Sequence, residues 1–226
     1  DAEAIVDGLE QVRREIERTG ADAIWIISLL GVLMGVTLTF QASVQMRDFG
    51  ATAYVADLVG VSLTRVLGPL MAAIVVAARS GSANTAEIGT MVVSEEVDAL
   101  RQMGLAPMRW LVVPKIVALG VVLPFLGLWM DSVGIVSSAV IASHSLDLPA
   151  NIFMARVATA VATQDILIGL LKCSVFGVII GTVSCGQGLR VRGGADEVGR
   201  STTSAVVVAI LLVILAEAFF AMVVQS

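Results

Sequence analysis

Four charged side chains stand alone inside long apolar tracts, and these are where the chain could do chemistry. Arg65 is the only charge from Leu58 to Ala78, Asp131 from Ile116 to Leu146, Lys172 from Ile166 to Leu189, and Glu217 from Ser201 to Ser226. Each costs roughly 2.5–3.5 kcal/mol at the centre of a membrane helix on insertion scales, so four of them point to a use. A guanidinium in an apolar wall suits a phosphate-bearing ligand, because its planar fork of N–H donors matches phosphate oxygens. Arg65 is therefore the leading ligand-binding candidate. The alternative for all four is pairing with one another or snorkelling to the nearer surface.

Several other chemistries lack their residues. The chain has two lysines, Lys115 in "VVPKIV" and Lys172 in "GLLKCS", and neither follows a phosphate-cradling glycine loop. If ATP drives this protein, a separate chain binds it. His144 is the sole histidine, and there is no CxxC or HExxH, which argues against a metal site. Ser184 in "GTVSCG" has no histidine in view, since His144 is expected near the opposite membrane face, so a serine hydrolase is set aside. Cys173 and Cys185 are 12 residues apart in one apolar segment. On a helix that is about 18 Å, too far for a disulfide. A net charge of −5 argues against a nucleic-acid partner.

The elements that must position these residues are membrane helices. The chain is 57% hydrophobic and 15% charged, whereas a soluble domain carries about 25% charged residues. Ala23 to Met46 is 24 residues without a charge, enough to cross a hydrocarbon core of about 30 Å. The tracts lack the alternation of barrel strands, and only helices and closed barrels satisfy the backbone in lipid. An all-α integral membrane fold is expected, with five transmembrane helices at 23–46, 54–78, 110–142, 158–187 and 201–224 in a single domain, 1–226.

Lysine and arginine set the orientation. Ten (Arg13, Arg14, Arg18, Arg79, Arg101, Arg109, Lys115, Arg190, Arg192 and Arg200) fall on the side of the N-terminus, against Arg47 and Arg156 on the other. The positive-inside rule makes the first side cytoplasmic and puts the C-terminus outside. Arg65 then lies about 10 Å from the outer start of its tract and Glu217 about 24 Å from the inner start of its span. Asp131 also falls in the outer half. Lys172 joins them if its helix begins near Ile166, and moves inward if it begins near Asn151. A polar chamber in the outer half of the membrane is expected.

Residues 1–20 are polar, with six acids and three arginines, and form no signal peptide. The chain does not open with methionine, so its natural start is expected upstream. Ile5, Leu9, Val12 and Ile16 make a helical stripe, predicting an amphipathic interfacial helix over 1–20. Packing on the chain's own bundle or on a partner is the alternative. Gly31/Gly35 and Gly177/Gly181 have GxxxG spacing, and Gly120, Gly127 and Gly134 recur every seven, which lets helices approach closely. Pro114 and Pro124 would bend the third span.

A polar stretch, Arg79 to Gly104, interrupts the apolar chain. Ser94 is predicted to cap a short helix with Glu95 and Glu96 in its first turn, and Val93, Val97, Leu100 and Met103 on one stripe. Gly104 suits the left-handed position that ends a helix, with Pro107 following. Upstream, Asn84 to Glu87 has capping-box spacing. One or two short cytoplasmic helices are expected, docking into a separate protein or packing under the bundle.

"LTRVLGPLMAAIVVAARSGSANTAEIGTMVVSEEVDALRQMGLAPMRWLVVP" (Leu63–Pro114) and "GGADEVGRSTTSAVVVAI" (Gly193–Ile210) resemble the MlaE-like permeases of lipid ABC transporters. The resemblance implies a non-catalytic homodimeric subunit in a bacterial inner membrane. It implies two cytosolic ATPase partners that hold ATP and magnesium, and an MCE-domain partner on the outer side. Phospholipid or a related lipid would be the cargo. Residues 80–104 would be the coupling segment, with Arg79, Glu87, Glu95, Glu96, Asp98, Leu100 and Arg101 toward the ATPase. Thr64, Arg65, Pro69, Asp131, Lys172 and Glu217 would meet lipid. The family's "REXGP" stands here as "RVLGP", with Val66 in place of the glutamate, while Glu217 falls where the family commonly has an acid. Two other classes compete: an ion-coupled secondary transporter using the intramembrane carboxylates, and a scaffold subunit.

Overall fold

A computed structural model describes the backbone of residues 2–48, 51, 54–146 and 148–225, and the side chains of 10–20, 23–46, 51, 54–146 and 148–223. The stripe positions Ile5 and Leu9, and Arg47 from the orientation count, lie outside the described side chains. The helical runs are α1 (Ala2–Asp48), α2 (Val55–Val93), α3 (Glu96–Gln102), α4 (Met108–Ser145), α5 (Ala150–Ala160), α6 (Thr163–Leu189) and α7 (Ala195–Gln225). No strand occurs among the described residues. Five of these runs are long and apolar enough to cross a membrane, beginning with Ala23–Met46 in α1. The chain packs as two compact units, one of Asp1–Ala23, Ala73–Leu123 and Cys173–Ser226, the other of Ile24–Ala72 and Pro124–Lys172.

In the second unit, Val55, Ala56, Val59 and Leu63 of α2 share a helical face and bury against Ala139 and Ala142 of α4 and Phe153 and Val157 of α5. Gly31 and Gly35 bring α1 to backbone contact with α4. A methyl at Gly31 would lie 3.0 Å from the Met130 carbonyl oxygen, and one at Gly35 would overlap the Ser137 hydroxyl and the Gly134 carbonyl. Ser138 Oγ donates to the Gly35 carbonyl at 3.1 Å, and Trp129 Nε1 to Ser28 Oγ at 2.8 Å. This GxxxG therefore serves packing within the chain. Arg156 pairs with Asp57 at 3.1 Å and lies 5.1 Å over the Tyr54 ring, which pins α5 to the start of α2. Val161 is extended (φ −82, ψ 108) and ends α5, so the fourth span begins at Thr163 rather than 158.

In the first unit, Gly177 of α6 rests on the Leu119 backbone of α4, and a methyl at Gly181 would lie 2.9 Å from Ile116 Cα. The second GxxxG is again intrachain packing. Cys185 is a small core residue beside Ile88 and Val112.

The polar stretch folds differently from the capping pattern. The helix that carries the second span does not stop near 78, since α2 continues as helix to Val93. Asn84 starts no helix and is buried inside α2, because this small polar segment packs closely on α6. Thr85 Oγ1 donates to the Ser184 carbonyl at 3.0 Å, and a methyl at Gly188 would lie 2.8 Å from Ile88. Ser94 is no N-cap either. It ends α2, the left-handed Glu95 (φ 60) precedes α3, and Ser94 Oγ bonds the Glu96 carboxylate at 2.8 Å. The expected stripe holds only at its centre: Val97 is buried, but Val93 and Met103 are exposed. Gly104 is left-handed (φ 77), as its place at a helix end predicts. At the N-terminus, helix α1 runs through Gly20 without a break, so the 1–20 helix is continuous with the first span.

Candidate functional site

Helix α2 widens into a π turn at Leu63–Leu67, around Arg65. Such turns add a residue to the helical repeat, re-aim the side chains beyond them and recur at functional sites. Gly68 and Pro69 follow at once. Proline has no N–H, so Pro69 cannot give the Arg65 carbonyl its α-helical hydrogen bond. Lys172 supplies one: its Nζ donates to the Arg65 carbonyl oxygen at 2.9 Å. Lys172 itself is buried. One polar backbone defect in α2 is thus met by one buried cation in α6.

The Arg65 side chain has a partner absent from the sequence-based set. Its Nε lies 3.0 Å from Oδ1 of Asp165, while the side chain as a whole is 41% exposed. Asp165 lies one residue before the apolar tract that starts at Ile166, so it does not stand out as an isolated charge. The signal was an acid in the first turn of an apolar helix. Its other oxygen, Oδ2, accepts from the Ala162 backbone N–H at 3.1 Å, the reach-back half of a capping box. Asp165, Gly169 and Lys172 recur at helical spacing on one face of α6. Gly169 leaves room for the π turn, since a methyl there would lie 2.8 Å from the Thr64 carbonyl oxygen.

Of the other expected lipid-facing residues, Thr64 and Pro69 are buried, and the Thr64 hydroxyl donates to the Gly60 carbonyl at 2.9 Å. Asp131 is buried in α4 against Gly68, and its Oδ1 has no hydrogen-bond partner among the described residues. Arg65, Thr64, Pro69, Asp131 and Lys172 all belong to the second compact unit, whereas Glu217, also buried, belongs to the first.

A family model described as Permease MlaE matches residues 12–223. The chain belongs to the MlaE permease family. It is 36% identical over 204 residues to the chloroplast protein Trigalactosyldiacylglycerol 1 of Arabidopsis thaliana, covering 90% of this chain and 58% of that one. It is 37% identical to a probable ABC transporter permease of Synechocystis, covering 91% of this chain and 78% of the relative. A probable ABC transporter permease of Rickettsia prowazekii is 33% identical, with 92% and 80% covered. This MlaE permease is therefore a multi-pass membrane protein. Among its described residues no group of three or more His, Cys, Asp or Glu is placed to hold a metal ion.

Within this MlaE permease the residues expected to face an ATPase separate into two sets. Glu95, Glu96, Asp98 and Arg101 are exposed around α3, with Leu100 half-buried among them and Arg101 paired to Asp98 at 2.9 Å. Arg79 and Glu87 lie apart from them in α2. Arg79 sits in a second π turn, Ala77–Gly81, and lines a cavity of about 210 Å³ with Glu15, Arg18, Ser80 and Asn84. Glu87 directs both carboxylate oxygens to its own chain, one to Lys115 at 3.1 Å and one to Arg18 at 3.2 Å. Val66, which takes the place of the family-pattern glutamate, is 38% exposed beside Arg65.

Proposed function

We propose that this chain is the non-catalytic membrane subunit of an ABC transporter that moves phospholipid or a related lipid. The lipid would pass between the bacterial inner membrane and an MCE-domain partner on the outer side. The observation that carries the reading, beyond family membership, is the π turn at Arg65. A cation stands at membrane depth with its Nε anchored on Asp165, and its terminal nitrogens bond no described residue. That leaves a planar donor fork for a headgroup phosphate. The Arabidopsis relative is named for a galactose-bearing diacylglycerol lipid, which supports a lipid cargo here as well.

In this reading two copies pair, each binding one cytosolic ATPase that holds ATP and magnesium. The N-terminus is cytoplasmic and the C-terminus periplasmic. Residues 80–104 receive the ATPase, with the exposed acids Glu95, Glu96 and Asp98 toward it. Closure of the ATPase pair moves this segment and reshapes the lipid site.

The test is to purify the chain from its native membrane and measure both the protein and the phospholipid that accompany it. An ATPase should co-purify and be lost on combined substitution of Glu95, Glu96 and Asp98. Arg65→Ala should lower retained phospholipid about tenfold, the equivalent of one charge-assisted hydrogen bond. Unchanged lipid content, or ion-driven transport by the isolated chain, would overturn the reading.

A further inference from the structure

The first compact unit contains a charge cluster that the lipid site does not use. Lys115, near the start of α4, is 4% exposed. Its Nζ lies 2.7 Å from Glu15 Oε1 on α1, 3.1 Å from Glu87 Oε1 on α2, and donates to Asn84 Oδ1 at 3.4 Å. Glu87 Oε2 meets Arg18 on α1 at 3.2 Å. Glu15 and Arg18 are three residues apart and share a face of α1. Three ion pairs link the four side chains in a row, Glu15–Lys115–Glu87–Arg18, with two positive and two negative charges. A buried ammonium is tolerable only when paired and hydrogen-bonded, and removing one member strands the others.

These pairs join three helices, each of which is also long and apolar enough to cross a membrane. Glu87 is six residues before the end of α2 at Val93, in unbroken helix, so the turn at Ser94–Glu95 is rigidly connected to it over about 9 Å. Glu15 is eight residues before the first span begins at Ala23, also in unbroken helix. A displacement of the 80–104 segment must therefore carry Glu87 with it, and Lys115 and Arg18 tie Glu87 to α4 and α1.

We propose that Lys115 is a positioning residue for transport, the joint through which movement of the 80–104 segment reaches the third span. The inference rests on the proposed coupling of that segment to an ATPase. Without the joint, ATP would be hydrolysed but α4 would not follow α2, while Arg18 still holds α1 to Glu87.

The experiment uses the purified complex in vesicles containing dansyl phosphatidylethanolamine, with ATP hydrolysis and ATP-dependent lipid transfer measured on the same sample. Lys115→Met should leave hydrolysis within about twofold of wild type, while lipid moved per ATP falls about tenfold. Lys115→Arg should restore that ratio, because a guanidinium can reach both carboxylates. If Lys115→Met fails to assemble, Lys115→Gln decides by the same ratio, since its amide can still hydrogen-bond Asn84 but carries no charge to Glu87 or Glu15. An unchanged ratio in Lys115→Met, or in Lys115→Gln where that variant decides, overturns the joint and leaves the transporter reading intact. A wild-type complex with no ATP-dependent transfer overturns both.

Discussion

Lys172 donates to the carbonyl oxygen of Arg65 at 2.9 Å, on the one residue whose α-helical donor Pro69 has removed. Local sequence creates the vacancy and a residue more than a hundred positions away fills it. Lys172→Met should therefore destabilise the fold by about 1–3 kcal/mol, the cost of leaving a buried polar group short of a donor. Pro69→Ala returns an N–H to that place. The double variant should recover part of the loss, giving an interaction energy of about 0.5–3 kcal/mol in a double-mutant cycle. Thermal unfolding in detergent measures all four corners, and simple additivity would mean that the proline and the lysine are not linked through this carbonyl.

Gly68 and Asp131 are in contact where α2 passes α4, and a methyl at residue 68 would fall on the carboxylate. Gly68→Ala should cost about 1–3 kcal/mol, as overpacking of a filled site does. Asp131→Ala should relieve much of that cost in the double variant. Asp131→Asn keeps the shape and removes the charge. With Oδ1 buried and unbonded, it should be neutral or stabilising. A melting temperature lowered by Asp131→Asn would contradict this and point to a cation partner for the carboxylate.

Asp165 performs two tasks, and two substitutions separate them. Asparagine can still accept from the Ala162 N–H but offers no charge to Arg65, whereas alanine loses both. Asp165→Ala should be less stable than Asp165→Asn by about 1 kcal/mol, the usual worth of a helix cap. The loss of the ion pair itself should be small in unfolding experiments, because the Arg65 side chain is substantially exposed. It should instead appear in phospholipid retention, which both variants change alike.

The five spans were legible because lipid makes one demand on every residue along a helix, and composition records it directly. The GxxxG pairs were legible as close contacts, and the crossings at Gly31 with Met130 and at Gly177 with Leu119 place them inside the chain. The π turn was not legible, since it depends on which neighbours accept the extra residue, among them Gly169 of α6. Capping patterns misled at Asn84 and Ser94 for a related reason. Asn, Ser and Thr favour helix starts when their side chains have only local partners. Here Asn84 accepts from Lys115, and Thr85 donates both to its own helix and to the Ser184 carbonyl. Charge counting found Arg65, Asp131, Lys172 and Glu217 because they interrupt apolar tracts. It missed Asp165, which stands one residue outside one.

The left-handed residue between α2 and α3 is Glu95, the only described non-glycine residue with positive φ. A side chain in that conformation costs about 1–2 kcal/mol that glycine avoids. Glu95→Gly should therefore raise the melting temperature if the exposed carboxylate has no structural task. Glu95→Val should lower it, since a β-branched residue is poorly suited to that region. Binding to the proposed ATPase partner is a separate readout. If the Glu95 carboxylate faces the partner, Glu95→Gly will stabilise the isolated chain yet weaken the complex, and Glu95→Gln will weaken the complex with little change in stability. If both variants bind as wild type does, the contact falls to Glu96 and Asp98, which are also exposed on α3. Pull-down titrations at two ionic strengths distinguish these outcomes, because contacts made by exposed charges weaken with added salt.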